Sequence, residues 1–282
     1  MELKTIKNRI FSTALAMMLA VPAFASVAVA PTRVEINANK IKSNYITTAI
    51  EVKGDSQQPM RFKIYPGYFT IDNKGEVVMQ DKSSDPHDLT KKIRFVPSEF
   101  TVAQGKNQKV RINIANLNQL PDGENRTMLY IEDVNPKEMN IPTGNAGISA
   151  QLIVKTRVGV PVYVEKGKIT KSAEIESLEI TKGSDGLYTN MKISNKGNAK
   201  IRYSASVQII QGKQLIDEYS TAERVVAANG YYVDTQKIVT SNIKNSGELQ
   251  WGMDFFDSHL RVGGDDMHTG DIPIIGEFQS TL

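Results

Sequence analysis

The chain has 282 residues, no cysteine and three histidines, and its 34 basic and 31 acidic side chains leave a formal net charge of +3. These numbers exclude a disulfide framework, thiolate metal sites and cysteine nucleophiles, and the near balance of charge argues against nucleic acid as a partner. An apolar share of 40% and a charged share of 23% are ordinary for a soluble fold, and the length fits one or two domains.

Residues 1–25 read as a secretory leader. Lys4, Lys7 and Arg9 form a basic start, Ile10 to Val21 is apolar apart from Ser12 and Thr13, and Ala23-Phe24-Ala25 is a small-x-small cleavage site. Cleavage after Ala30 fits as well. The apolar run is shorter than the ~20 residues a spanning helix needs, so no membrane insertion is expected after cleavage; an uncleaved anchor is the alternative. The leader carries three basic residues and one acidic, so the mature chain nets +1. An exported chain without disulfides depends on hydrophobic cores alone.

The remainder is expected to be all-β. Apolar residues alternate with polar ones at Val27–Val29, Val34–Ile36, Ile46–Val52, Phe62–Ile64 and Val110–Ile114. The pattern continues at Met128–Tyr130, Ile148–Val154, Val158–Val164, Leu178–Ile180, Met191–Ile193, Ile201–Tyr203, Val207–Ile209 and Trp251–Met253. Turn signals separate these runs, among them Asn73-Lys74-Gly75, Pro121-Asp122-Gly123, Ser184-Asp185-Gly186 and Asn195-Lys196-Gly197. Only Asp88–Lys92 offers a short helical stretch. A polar segment starting at Glu165-Lys166-Gly167-Lys168 marks a boundary, giving two immunoglobulin-like sandwiches over 26–165 and 166–282.

Enzyme chemistry finds no support. There is no G-x-S-x-G, H-E-x-x-H, Walker A or G-x-G-x-x-G motif. Ser241-Asn242-Ile243-Lys244 matches S-x-x-K by spacing alone. Asp265, His268 and Asp271 lie in a Gly-rich stretch that reads as a solvated turn rather than a metal site. Asn125-Arg126-Thr127 is a glycosylation sequon with nothing else to support it. The expectation is no enzyme, no cofactor and no metal.

Five segments, in order behind the leader, resemble the PapD-like periplasmic chaperones of pilus assembly. They are Pro31-Thr32-Arg33-Val34; Phe95 to Val102 with Gly105-x-x-Gln108-x-Val110-Arg111; Leu120-Pro121-Asp122-Gly123-Glu124 through Ile131; Gln151 to Val164; and Ile193 to Arg202 around Asn195-x-Gly197-Asn198. The resemblance implies two immunoglobulin-like domains set at an angle, with a cleft between them. It also implies a periplasmic protein that caps fimbrial subunits and delivers them to an outer-membrane usher.

Carried over residue by residue, the resemblance makes Arg33 and Arg157 the pair that anchors a subunit's C-terminal carboxylate. A guanidinium fork suits that task. The continuation Val158-Gly159-Val160-Pro161 departs from the family's aromatic pair and Arg-Pro, which marks a divergent branch. Arg111 and Glu124 match positions of an interdomain charge network whose third, acidic member is not placed. Ile148, Ala150, Leu152 and Val154 would be the donor strand, their side chains filling the groove of an incomplete subunit sandwich. Leu152 and Ile148 would be the energetic anchors. Asp133–Gly147, with two prolines and two glycines, reads as a loop that orders on binding. An exposed edge at Ile148–Val154 also suits a self-capping dimer. The rival reading is a β-sandwich pilin or adhesin subunit, against which stand a second complete-looking domain and the absent cysteines.

Overall fold

The structure is a computed structural model that describes residues 27–54, 58–135, 137–142, 149–211, 214–220, 222–238, 248–255 and 279–281. The described residues of the first half form twelve strands. They begin with β1 (Val27–Ala30), β2 (Val34–Asn37), β3 (Tyr45–Gly54), β4 (Met60–Ile71), β5 (Val77–Gln80) and β6 (Ile93–Val96). Then come β7 (Glu99–Val102), β8 (Asn107–Ala115), β9 (Gly123–Asp133), β10 (Lys137–Pro142), β11 (Ser149–Val154) and β12 (Arg157–Lys166). One sheet has the order β1-β3-β8-β6; the facing sheet runs β2-β12-β9-β4-β5, with β7 also on β4. The first strand changes sheets at Pro31–Arg33, where Pro31 has no N–H for the ladder.

The alternation in the sequence becomes the core between these sheets. Ile50, Val52, Val110, Ile112 and Ile114 from one sheet meet Phe62, Leu129, Ile131, Val162 and Val164 from the other, all buried. Intervening residues of β9 and β12 therefore face away from this core. They form a second layer in which Phe69, Met128, Tyr130 and Tyr163 pack together. Gly67 lies under Tyr130, and a Cβ there would come within 2.6 Å of the ring.

The second half folds as another all-β unit with its own core. Its strands are β13 (Ala173–Gly183), β14 (Gly186–Asn195), β15 (Ile201–Gln211), β16 (Gln214–Ser220), β17 (Arg224–Val226), β18 (Tyr231–Ile238), β19 (Glu248–Phe255) and β20 (Gln279–Thr281). One sheet is β13-β14-β18; the other is β16-β15-β19-β20, with β17 on β15. Ile175, Met191, Ile193, Ile201, Tyr203, Val226 and Tyr232 fill the space between them. The architecture is thus two immunoglobulin-like β-sandwiches.

No α-helix occurs among the described residues. The stretch Asp88–Lys92 is a turn, because the Asp88 carboxylate binds the Thr90 N–H at 2.8 Å while Leu89 plugs the core. Asn125 of the sequon is buried and donates to the Pro121 and Val164 carbonyls at 3.1 and 3.3 Å, a position closed to a glycan. The leader, Ser241–Lys244 and the stretch with Asp265, His268 and Asp271 lie outside the described residues.

Candidate functional site

The first element of the site is an open strand edge. β12 pairs along its whole length with β9, but β2 takes its opposite edge only over Val162–Glu165. β11 pairs with β10 alone, from Ser149↔Pro142 to Val154↔Lys137. Among the described residues no strand covers the remaining edge of β11, or of β12 ahead of Val162. Its unpaired N–H and C=O groups form a template for an added strand. Leu152 is 45% exposed and Ile153 60% exposed. Ala150 contributes backbone to β11, opposite Ile141. Val154 is half-buried, and Ile148 lies outside the described residues.

Two sequence expectations change here. The loop expected over Asp133–Gly147 contains β10, which extends the β9–β12 hairpin into a long two-stranded arm. Ile153, on the opposite face from Leu152, adds an exposed apolar side chain that period-two reasoning assigned to no role.

Arg157 stands at the start of β12, opposite Glu132. Its guanidinium lies 4.6 Å from the Tyr130 ring centroid, and Nη1 donates to the Tyr65 hydroxyl at 3.3 Å. That hydroxyl donates in turn to Glu132 at 2.6 Å, and Lys155 pairs with the same carboxylate at 2.5 Å. Lys155 first, and then Tyr65, hold the Glu132 carboxyl below its ordinary range. Arg157 is thus oriented by an aromatic and hydroxyl frame on the outer sheet face.

Arg33 sits elsewhere. It directly precedes Val34, which pairs with Val162, so it falls beside Pro161 at the point where β2 closes the open edge. Four residues of β12 separate that level from Arg157, ~13 Å along the strand. No described contact joins the two arginines or places both on one carboxylate. Instead, Arg33 Nη1 reaches Glu223 of the second domain at 3.4 Å.

Between the domains lies a buried charge network. Glu35 of β2 and Glu124 of β9 present carboxylates from the first domain. Lys200 Nζ meets them at 3.2 and 3.0 Å, and rests 3.5 Å from the Tyr163 ring centroid. Arg202 pairs with Glu35 at 2.7 Å and with Glu223 at 3.7 Å. Arg126 extends the network from Glu124 at 3.6 Å to Asp85 at 3.7 Å. Burial works against the Lys200 ammonium, yet Glu124 and Glu35 outweigh it and hold its pKa above the ordinary lysine range.

Backbone contacts reinforce this junction. Glu124 N–H donates to Asn198 O at 2.9 Å, and Asn198 Oδ1 accepts from Thr170 N–H at 2.8 Å. Asn195 donates to the Ala199 carbonyl at 2.7 Å. The Asn195-x-Gly197-Asn198 signature therefore shapes the joint itself. At a second point, Val233 N–H donates to Asn73 O at 3.1 Å.

The charge pair expected from the sequence is corrected. Glu124 joins the network, but Arg111 does not. Arg111 is exposed on β8, opposite Ala49 and Val96, because its neighbours Val110 and Ile112 fill the core of the other sheet. The cations facing Glu124 are Lys200 and Arg126, and the second domain contributes Lys200 and Arg202 where an acidic partner was sought. Lys200 and Arg202 both stood inside the quoted Ile193–Arg202 segment, where neither was assigned a role; Glu35 carried no motif signal beyond being a charged residue in a strand-like apolar run.

Comparison with known proteins gives structural likeness only. No family model and no curated protein matches the sequence. Similar solved structures include the CsuC–CsuE chaperone–tip adhesion subunit pre-assembly complex from the archaic chaperone-usher Csu pili of Acinetobacter baumannii, at 14% identity and TM-score 0.47, covering 89% of this chain and 100% of that one. The CupB2 chaperone of Pseudomonas aeruginosa is similar at 14% identity and TM-score 0.43, covering 88% and 100%. The Salmonella enterica SafA pilin in complex with the SafB chaperone is similar at 14% identity and TM-score 0.43, covering 91% and 96%.

Proposed function

We propose that this protein is a periplasmic chaperone of pilus assembly, a divergent member of the PapD-like family that the five sequence segments resemble. The observation that supports this reading most is the open edge of β11 and early β12, which ends at Arg33. A subunit strand added parallel to this edge runs from Ser149 toward Pro161. Its C-terminus then meets Arg33, where β2 prevents further pairing. Backbone hydrogen bonds bind any sequence, while the exposed Leu152 and Ile153 offer apolar side chains to a subunit that lacks a strand.

In this reading the chaperone captures a subunit, completes its sandwich and passes it to an outer-membrane usher. Exchange of the donor strand for the next subunit's strand drives release, so neither nucleotide nor metal takes part. Without a subunit the same edge suits pairing with a second copy. Arg157, fixed on Tyr65 and Tyr130, is assigned to contacts with the captured strand a few residues before its C-terminus. Arg33→Ala is expected to abolish co-purification of a fimbrial subunit from periplasm while the protein still folds. Wild-type recovery of the complex by Arg33→Ala would refute the anchoring role.

A further inference from the structure

The strand β5 is a second unguarded edge, at the opposite end of its sheet from β2 and β12. Among the described residues it pairs with β4 alone, in continuous register from Tyr68↔Gln80 to Ile71↔Val77. Edge strands are commonly guarded by charges, prolines or bulges, and Val77-Val78-Met79-Gln80 carries none of these. Its three apolar residues are 51%, 39% and 39% exposed. The strand is also held in place. The Asp72 carboxylate accepts the Lys74 and Glu76 N–H groups at 2.9 Å, which closes the β4–β5 turn, and the Tyr130 hydroxyl donates to the Met79 sulfur at 2.6 Å.

The turn fixes which backbone groups face outward. Asp72 N–H donates to Glu76 O at 3.0 Å, so Glu76, Val78 and Gln80 turn their N–H and C=O groups toward β4. Antiparallel alternation leaves those of Val77 and Met79 on the open side. A second copy of the strand, added antiparallel, has to pair these outward residues with each other. With a two-fold axis at Val78, Val77 of one copy meets Met79 of the other, Val78 meets its own counterpart and Glu76 meets Gln80. Every exposed apolar residue of the strand then lies opposite an apolar one, and no like charges oppose each other. The neighbouring registers are worse: an axis at Met79 sets Val77 against Asp81, and an axis at Val77 sets Val78 against Glu76.

We infer that β5 is a self-association edge, through which two copies of this chain join their sheets as an antiparallel β5–β5 pair centred on Val78. The pairing leaves the β11 and early β12 edge of each copy open, so it is distinct from self-capping at that edge. Two four-residue strands bury far less than the ~1,200–2,000 Å² of a stable interface, so the dimer is weak and forms at high protein concentration.

The chain has no cysteine, so single-cysteine variants of the full mature protein report the register under mild oxidation with oxidised glutathione. Val78→Cys is expected to form a covalent dimer, because a non-hydrogen-bonded antiparallel pair brings the Cα atoms to ~4.5 Å, within disulfide reach. Val77→Cys alone should stay monomeric, since its counterpart lies on the diagonal at ~7–8 Å, and should cross-link when mixed with Met79→Cys. In analytical ultracentrifugation the wild type should dimerise with rising concentration. Val78→Lys, which places two lysines on the axis, should lose the dimer, and Leu152→Asp should keep it. Cross-linking of Val77→Cys alone as efficient as that of Val78→Cys overturns the inference, as does a wild type that remains monomeric at its highest soluble concentration. A dimer lost in Leu152→Asp and kept in Val78→Lys places self-association at β11 and overturns it too. None of these readings needs a fimbrial subunit, so the inference stands or falls apart from the proposed function.

Discussion

Lys200→Met probes the joint between the domains. Lys200 lies 3.0 Å from Glu124 and 3.2 Å from Glu35, with its side chain 3% exposed. Methionine keeps nearly the same volume and chain length, so the packing loss is small. What disappears is the cation shared by two buried carboxylates. Breaking a buried pair from one side typically costs about 3–5 kcal/mol, because the remaining charge stays buried without compensation. Against a typical total of ~5–15 kcal/mol, that is a large fraction. Adding Glu124→Gln to Lys200→Met should restore part of the loss, since one buried carboxylate is then neutral while Glu35 keeps Arg202 and Arg126 keeps Asp85. Urea unfolding provides the assay, with far-UV circular dichroism reporting both domains. The single tryptophan, Trp251 on β19, reports the second domain. The two probes should coincide in the wild type and separate in Lys200→Met as the domains stop supporting each other. A loss below ~1 kcal/mol, or no recovery in the Lys200→Met/Glu124→Gln double variant, would refute the reasoning.

Other predictions follow from single contacts. A Cβ at Gly197 would lie 2.8 Å from the Thr170 carbonyl carbon; backbone cannot yield cheaply, so Gly197→Ala should destabilise by about 1–3 kcal/mol in thermal melts. Burial opposes ionisation of Asp85, but the Tyr68 hydroxyl, the His87 N–H and Arg126 outweigh it and lower its pKa. Its folded-state pKa is depressed, so its contribution is present above the ordinary carboxylate range and is lost as pH falls through the folded value. Asp85→Asn should therefore flatten the acid side of the stability profile below ~pH 4; a profile identical to wild type between pH 2 and 6 would contradict this. Leu152→Asp should leave the melting temperature unchanged, because the side chain is 45% exposed. It should weaken subunit capture about 30-fold, the equivalent of roughly 80 Å² of apolar surface at ~25 cal/mol per Å².

Much of the fold was legible because a half-buried sheet imprints period two on its strands. Ile46–Val52, Val110–Ile114 and Val158–Val164 all emerged as β-structure with their alternate residues in the core. The strands β5 and β10 escaped notice: Val77, Val78 and Met79 are consecutive exposed apolar residues, and the one alternation of β10, Met139-x-Ile141, sits in a stretch read as a loop from its prolines and glycines. The open edge was foreseeable from the run ending at Val154. The joint was not, since the pairing of Lys200 with Glu35 and Glu124 spans 165 and 76 residues, and nothing local records which charges meet across a domain boundary. Arg111 illustrates the same limit from the other side: its motif context was right, yet the alternation of β8 turns it to solvent. Arg33 and Arg157 resemble partners in the motif frame; the parallel register of β2 on β12 offsets their backbones along the strand by about four residues, ~13 Å.

The most direct test of the central claim is in-cell photo-crosslinking in the periplasm with mass-spectrometric identification of the product. A photoreactive residue replaces Leu152 on the open edge, and in a second strain it replaces Ala49 on the outer face of the opposite sheet. The account predicts that position 152 crosslinks to a fimbrial subunit near its C-terminal strand and that position 49 does not. Equal capture at both positions, or capture at 49 alone, would contradict strand addition at this edge.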